Sequence, residues 1–319
     1  MTTYVAPFPV EARLTQIALA VKPQGLIADQ VLPRIPVPGK KFIYSKLNTS
    51  EQFTIPDTKV GRASYPNEVE FGGTDVTDSC EDYGLDDFVP NSDLQQAAGT
   101  NFNPLGMATE GIATLLELAR EKRAADLIFT IGNYNSSLRT TLSGATQWSH
   151  DSGDPVKNIL EAADSMLVRP NTLVIGRAVW TVLRRNAKVV AAVLGRTKSA
   201  GATTAAGVMD VQAIADLFEV DRILIGEPFA NTAKPGQTAS YSRLWGKHAA
   251  LLRIDSAVRT TTMALPTFGF TAQYGNRIAG NIPDPKRGLH GGQTVRVGES
   301  VKELIAWQDA GYFWADAVA

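Results

Sequence analysis

The stretch KVGRASYPNEVEFGGTDVTDSCEDYGLDDFVPNSD, residues 59–93, holds nine carboxylates and the only cysteine of a 319-residue chain. Three readings compete for it: a metal site, a catalytic acid cluster, or a structural segment that packs one face and shows charge on the other. Its charge belongs to a larger pattern. Met1 to Arg62 carries eight basic and four acidic residues, and Ala63 to Ala119 has eleven Asp or Glu with no Lys or Arg. From Ser165 to Met209 the sign reverses, with seven Lys or Arg and no carboxylate. In a chain of formal net charge −1, long single-sign blocks often pair, within a molecule or between copies. The plain alternative is solvated faces that pair with nothing.

The chemical readings of the acidic stretch are weak. Asp75, Asp78, Glu81 and Asp82 do not follow EF-hand ligand spacing, and no glycine stands at the sixth place. A loose surface calcium site is the most that spacing allows. Two-carboxylate acid/base chemistry stays open on spacing alone, with no partner group in view. Cys80 sits beside Glu81 and Asp82, which would raise a thiol pKa and make it a poor nucleophile. Tyr83, Leu85, Phe88 and Val89 interleave with the acids, as suits a connecting segment with one packed face.

The rest of the chain adds no convergent catalytic set. Its three histidines, His150, His248 and His290, lie far apart in sequence, and Ser149 and Asp151 are too close to His150 to form a triad with it. There is no GxSxG elbow, no HExxH and no cysteine pair for zinc. GRTKSAG lacks the Gly-Lys-Ser/Thr ending of a phosphate loop, and no strand leads into it. We therefore assign no catalytic, metal or cofactor residues. The basic run Arg169 to Lys198 has one aromatic, Trp180, so weak, salt-sensitive phosphate contact is the most expected of it. The simpler reading places Arg177, Arg184 and Arg185 on exposed helix faces.

Composition is that of an ordinary soluble globular protein, 44% hydrophobic and 20% charged. A lone cysteine cannot form an internal disulfide. No basic start followed by an apolar block opens the chain, and no apolar run reaches eighteen residues, so neither a signal peptide nor a membrane span is expected.

Working outward from the acidic stretch, residues 1–39 contain six prolines and read as an extended arm poor in regular structure. With little core of its own, the arm needs something to lie on. Residues 40–76 read as a long β ribbon: Phe42 and Tyr44 share one face, Phe53 and Ile55 another, Val69 and Phe71 a third, with turns at Asn48, Pro56, Pro66 and Gly72. Asn103-Pro104 caps a helix of some 25 residues, about 38 Å long. Ile112, Leu115, Leu116 and Ala119 form its apolar stripe, and Arg120, Lys122 and Arg123 gather toward its end. After a polar boundary near 133–153, Asp154-Pro155 repeats the cap. Helices PVKNILEAADSML, RAVWTVLRRN, AKVVAAVLG and DVQAIADLFEV then alternate with buried strands NTLVIG and DRILIG, both ending in glycine. RLWGKHAALLRID reads as one longer strand and RTKSAGATTAAG as a mobile loop. The C-terminal part returns to β: PTFGFTAQYG, a loop NIPDPKRGLHGGQ, then strands at Val295–Val297, Val301–Trp307 and Gly311–Val318.

This order, with the 59–93 stretch leading into a spine-like helix and VRVGESVKELIAWQDAGYFWADAV closing the chain, resembles the major capsid proteins of tailed phages, which share the HK97-type fold. The resemblance implies an α+β, HK97-like capsid fold. Residues 1–39 would be the N-terminal arm and 40–76 an extended β-hairpin loop overlapping a neighbour. Residues 77–144 would be the peripheral domain with its spine helix, 145–255 an α/β axial domain, and 256–319 the return strands of the peripheral domain.

The resemblance further implies no enzymatic activity but pentamers and hexamers of an icosahedral shell around double-stranded DNA, assembled in the bacterial host cytoplasm and ending in the virion. Implied partners are a separate scaffolding protein, since the arm begins near Met1, a portal, a decoration protein and non-specific contact with packaged DNA. Some relatives crosslink a loop lysine to an asparagine; Lys40, Lys41 and Lys46 lie in the right region, but no catalytic glutamate is assignable. The acids Glu68, Glu70, Asp78, Glu81, Asp82, Asp86 and Asp87 are then expected to face basic residues of a neighbouring subunit: Arg34, Lys40, Lys41, Lys59 and Arg62, or Arg120, Lys122 and Arg123. Two other readings stand beside it, an encapsulin-type cellular compartment shell and an α/β hydrolase-like enzyme.

Overall fold

The computed structural model describes residues 8–47, 53–62, 64–69, 73–197, 209–234, 236–255 and 267–319. In chain order its strands are β1 (Arg34–Val37), β2 (Lys41–Leu47), β3 (Gly73–Ser79), β4 (Glu81–Pro90), β5 (Arg139–Thr141), β6 (Thr172–Gly176) and β7 (Arg222–Gly226). Then follow β8 (Phe229–Asn231), β9 (Tyr241–Arg243), β10 (Ala249–Leu252), β11 (Gly269–Asp284), β12 (Gly292–Ile305) and β13 (Gly311–Ala315). They form a four-stranded sheet ordered β1-β11-β12-β4, a five-stranded sheet ordered β5-β13-β10-β6-β7, and two ribbons, β2-β3 and β8-β9.

A 25-residue helix, Pro104–Ile128, joins the two sheets. Asn103 caps it by accepting from the Gly106 N–H at 3.3 Å, and Pro104 opens its first turn, as the Asn-Pro signal requires. Its N-terminal half lays Ala108, Ile112, Ala113 and Leu116 against Val89, Val295 and Val297 of the four-stranded sheet. Its C-terminal half lays Ala124, Ala125 and Ile128 against Val174, Ala250, Leu252 and Phe313 of the five-stranded one. The opposite face of that second sheet, Leu173, Ile175, Ala249, Leu251 and Trp314, packs on helices Pro155–Ser165, Arg177–Leu183, Ala187–Thr197 and Val211–Leu217. Both faces are thus buried, which is why TLVIG and AALL read as unbroken apolar runs rather than alternating ones.

The glycines ending β6 and β7 have a common cause. Gly176 and Gly226 are neighbours in register, and Trp245, fully buried, crosses over both. A Cβ on Gly226 would fall 2.0 Å from Trp245 Cγ, and one on Gly176 would fall 2.0 Å from the Trp245 carbonyl oxygen. Gly226→Ala is expected to cost about 1–3 kcal/mol through overpacking, seen as a lower unfolding temperature by calorimetry; an unchanged midpoint would show that Trp245 has room to move.

Several sequence expectations are corrected. The N-terminal segment is neither wholly extended nor without support. Between Pro9 and Pro23 it is proline-free, and Ala12–Ala20 forms a helix there. Leu14 and Ala18 join the core over the long helix, and Ile27, Val31 and Leu32 join the next. The segment therefore lies on its own chain. Its β1 pairs in parallel with the edge of β11; Pro36, which lacks an N–H, is exposed there, as an edge position tolerates.

Among the described residues the strands of the expected long ribbon are β2 and β3, paired with each other; residues 48–52, 63 and 70–72 of it lie outside the described residues. The described residues 53–62 and 64–69 contain no strand, and they are exposed, Ile55 by 94% and Tyr65 by 97%. On the long helix the buried face runs through Thr109, Ile112, Ala113, Leu116, Arg120 and Ala124, and leaves Leu115 and Ala119 outside. Its basic residues stand before the last turn, which holds none. RLWGKHAALLRID is broken between β9 and β10 at Trp245, and β11 runs on through NIPD. The two strands expected within 295–307 are one, β12. The closing strand β13 pairs with β10 and β5, so it belongs to the sheet of the middle region, not with β11 and β12.

Candidate functional site: the charged seam and the acidic edge strand

The charges concentrate in two places. The first is a seam where the N-terminal segment, the long helix and the four-stranded sheet meet. Arg277 on β11 is nearly fully buried. It donates to Glu299 on β12 at 2.9 Å, to Glu117 on the long helix, and to the Ala18 carbonyl at 3.2 Å. Arg34 reaches the same Glu299 at 2.8 Å and Asp29 at 2.8 Å. Arg120, 1% exposed, donates to Asp29, to Thr271 Oγ1 at 3.1 Å and to the Leu32 carbonyl at 3.3 Å. Arg123 pairs with Glu303 at 3.0 Å and lies over the Tyr83 ring at 3.7 Å.

Burial alone would raise the Glu299 carboxyl, but the guanidiniums of Arg34 and Arg277 outweigh it and hold it below the usual carboxylate range. Asp29 follows the same balance, with Arg120 and Arg34 opposing the effect of burial. Beside this network Glu121 is completely buried. It accepts from the N–H groups of Ile27 and Ala28, both at 2.8 Å, and from Trp245 Nε1 at 2.6 Å. Burial pushes its pKa up, against the pull of those three donors and the Arg120 charge.

The second place is β4, an edge strand of its sheet, whose other side pairs with β12. That pairing places bases of β12 opposite its acids. Glu81 bonds Lys302 at 2.8 Å, and Asp86 is held by Arg296 at 2.7 Å. Asp82 accepts from Lys40 and from Ser300. These donors lower all three acids: Lys302 most for Glu81, Lys40 for Asp82, Arg296 for Asp86.

Asp78 is half-buried on β3 and accepts from the Ser79 N–H. Asp87, Lys41, Glu68, Lys59 and Arg62 are exposed, as is Lys122, which pairs with Asp126. Glu70 lies outside the described residues. Cys80 is buried; burial first, then Asp78 and Asp82, raise its thiol, so the expected direction holds but Glu81 is not its cause. Among the described residues no cluster of three or more His, Cys, Asp or Glu is placed to hold a metal ion.

The structure thus divides the expected contact residues. Arg120 is enclosed and offers nothing to a neighbour, which corrects its assignment. Arg34, Lys40, Arg123, Glu81, Asp82 and Asp86 already have partners in their own chain. The sequence reading missed Asp29, Glu117, Glu121, Arg277, Glu299 and Glu303. The one available signal was the run of charges at 117, 120 and 121, which shares a helix face with Ile112, Ala113, Leu116 and Ala124.

Residues 133–221 match the family described as "Phage major capsid protein E". Over 314 residues, 98% of this chain and 99% of the relative, the sequence is 46% identical to the major capsid protein of Pseudomonas phage JBD67. In structure it is similar to a phage-related protein of Bordetella bronchiseptica, with a TM-score of 0.72 at 20% identity over 97% of each chain. It is also similar to the capsid of the cyanophage P-SCSP1u, with a TM-score of 0.58 at 11% identity, covering 98% of this chain and 93% of that one. These likenesses set the mixed α+β architecture within the HK97-like capsid fold. The near-complete match at 46% identity decides against both the cellular compartment and the hydrolase. The chain belongs to the major capsid proteins of tailed phages, structural rather than enzymatic, and copies of it assemble the shell of the phage head.

Proposed function

We propose that the shell is built from pentamers and hexamers of this chain around double-stranded DNA, with residues 40–76 reaching over a neighbouring subunit. The four-stranded sheet with the first half of the long helix would be the peripheral body. The five-stranded sheet and its helices, including β5 and β13, would be the axial body. A scaffolding protein, a portal, a decoration protein and the packaged DNA complete the set of partners in this reading.

One observation carries it. Residues 53–69 present Ile55, Tyr65, Lys59 and Arg62 to solvent with no strand pairing among those described. Among the described residues nothing pairs with the outer edge of the acidic strand β4, and exposed strand edges invite pairing by another chain. Residues 53–69 are balanced in charge, Lys59 and Arg62 against Asp57 and Glu68, so it is Lys59 and Arg62, beside the exposed Ile55 and Tyr65, that the acidic edge of a neighbouring copy would meet. The acids still offered outward are Asp87 and Glu68, with Asp78 at the base of the ribbon.

Asp87→Lys tests the acidic face of β4, because Asp86 is already taken by Arg296. Single exposed pairs contribute about 0–1 kcal/mol, but a shell repeats each one at every interface. Negative-stain microscopy should show few closed particles, while circular dichroism of the variant matches the parent. Normal particles from this variant would refute the acidic contact.

A further inference from the structure

We propose that the tip of the β11–β12 hairpin inserts Leu289 into the groove between the long helix and β4 of a second copy of this chain. The contact is additional to the reach of residues 40–76, and it rests on the shell reading.

The knob is built to be seen. Leu289 is 91% exposed. It lies between Gly288 and Gly291, whose φ values of +65° and +66° make the sharp turns that hold it outward. The tip is anchored at its base. Asn91, just beyond β4, donates its side-chain amide to the His290 carbonyl at 2.8 Å, and its own N–H to the Gly291 carbonyl at 3.0 Å. Lys286 and Arg287 are exposed beside it.

The hole is equally unusual. It is an open groove of about 860 Å³ with Leu85 and Asp87 of β4 on one side and Met107 and Leu115 of the long helix on the other. Met107 is 62% exposed, Leu115 55%, and Phe102 at its end 56%. Gly111 on the helix adds no side chain and leaves the floor low. The lining includes Asp87 and Asp93, no Lys or Arg, and Asp86, which Arg296 already holds; an apolar knob beside the exposed Lys286 matches it in polarity and charge, while Arg287 stays with Asp284 and the Phe88 ring of its own chain.

The occupant is a second copy because the tip of the same copy is pinned to the end of β4 by Asn91. Knob and hole lie side by side on one subunit and are different surfaces. A head-to-tail contact of this kind closes into a ring when the rotation between copies allows it. The patch is small for a stable pair in isolation, so it acts as one repeated contact of the shell.

Leu289→Asp and Leu115→Lys are each expected to cut the yield of closed particles about tenfold, equivalent to a factor of ten in an association constant. The double variant should recover most of the loss, because the new acid meets the new base across the interface. Both sites are exposed, so circular dichroism of all three variants should match the parent. In a Cys80→Ser background, a Leu289→Cys, Leu115→Cys chain treated with a short bismaleimide in assembled particles should give covalent oligomers, which the Leu289→Cys and Leu115→Cys variants alone do not.

Normal particle yield from both single charge variants, a double variant no better than either, or cross-links confined within one chain each overturn the contact while leaving the shell reading intact. Failure of the unmodified chain to form particles overturns both. If Leu289→Asp particles form normally and lose only attachment of another phage protein, the tip serves that protein and the proposal is wrong.

Discussion

Arg277→Met is expected to destabilise the folded chain by about 3–5 kcal/mol, the range found when one partner of a buried ion pair is removed. The arginine donates to Glu299, Glu117 and the Ala18 carbonyl from a nearly fully enclosed position. Methionine fills much of the volume but leaves Glu299 with Arg34 as its remaining cation, and Glu117 with Arg34 and, at 4.0 Å, Arg120. Arg34→Met should cost clearly less, because that side chain is 21% exposed and water can reach what it leaves behind. The check is the urea midpoint of each variant with the slope unchanged. A loss under about 1 kcal/mol for Arg277→Met would mean the seam behaves like surface salt bridges. The result bears on assembly too, because this seam holds the N-terminal segment to the body before any neighbour is met.

Glu121→Ala is the second large expected effect. Its carboxylate is the common acceptor of the Ile27 and Ala28 N–H groups and of Trp245 Nε1. Alanine leaves three buried donors without a partner, at about 1–3 kcal/mol each. Glu121→Gln keeps acceptor capacity on one side only and turns its amide N–H2 toward a donor, so an intermediate loss is expected. The two variants should also loosen residues 27–32, read as faster amide hydrogen exchange there than in β10 or β12. Equal protection of 27–32 in the parent and in Glu121→Ala would show that this carboxylate does not hold the segment.

Much of the architecture was legible because local chemistry dictates it. Asn103-Pro104 and Asp154-Pro155 mark two helix starts that the structure reproduces, each with its side-chain cap. The short apolar strands ending in glycine were legible as strands, though not the tryptophan that demands the glycines. Errors arose where an element's environment was judged from its own pattern. Leu115 looked like core because it shares a spacing with Ile112 and Leu116, yet it faces the open groove. Arg120 groups in sequence with Lys122 and Arg123 toward the helix end, as a contact for a neighbour would, yet Asp29, Leu32 and Thr271 hold it inside its own chain. Six prolines point to an extended arm poor in regular structure, yet the proline-free gap between Pro9 and Pro23 is long enough to hold the helix Ala12–Ala20.

By itself, the sequence determined where helices begin, which short runs are buried strands and how charge is blocked along the chain. These are properties of caps, turns and periodicity, and they act over a few residues. Only the tertiary structure decided which carboxylates are spent inside the chain and which remain for a neighbour. Glu299 meets Arg34 across 265 positions, and Asp86 meets Arg296 across 210. Ion pairing depends on distance in space, and no local pattern encodes which of many like-charged residues will be carried to the same place.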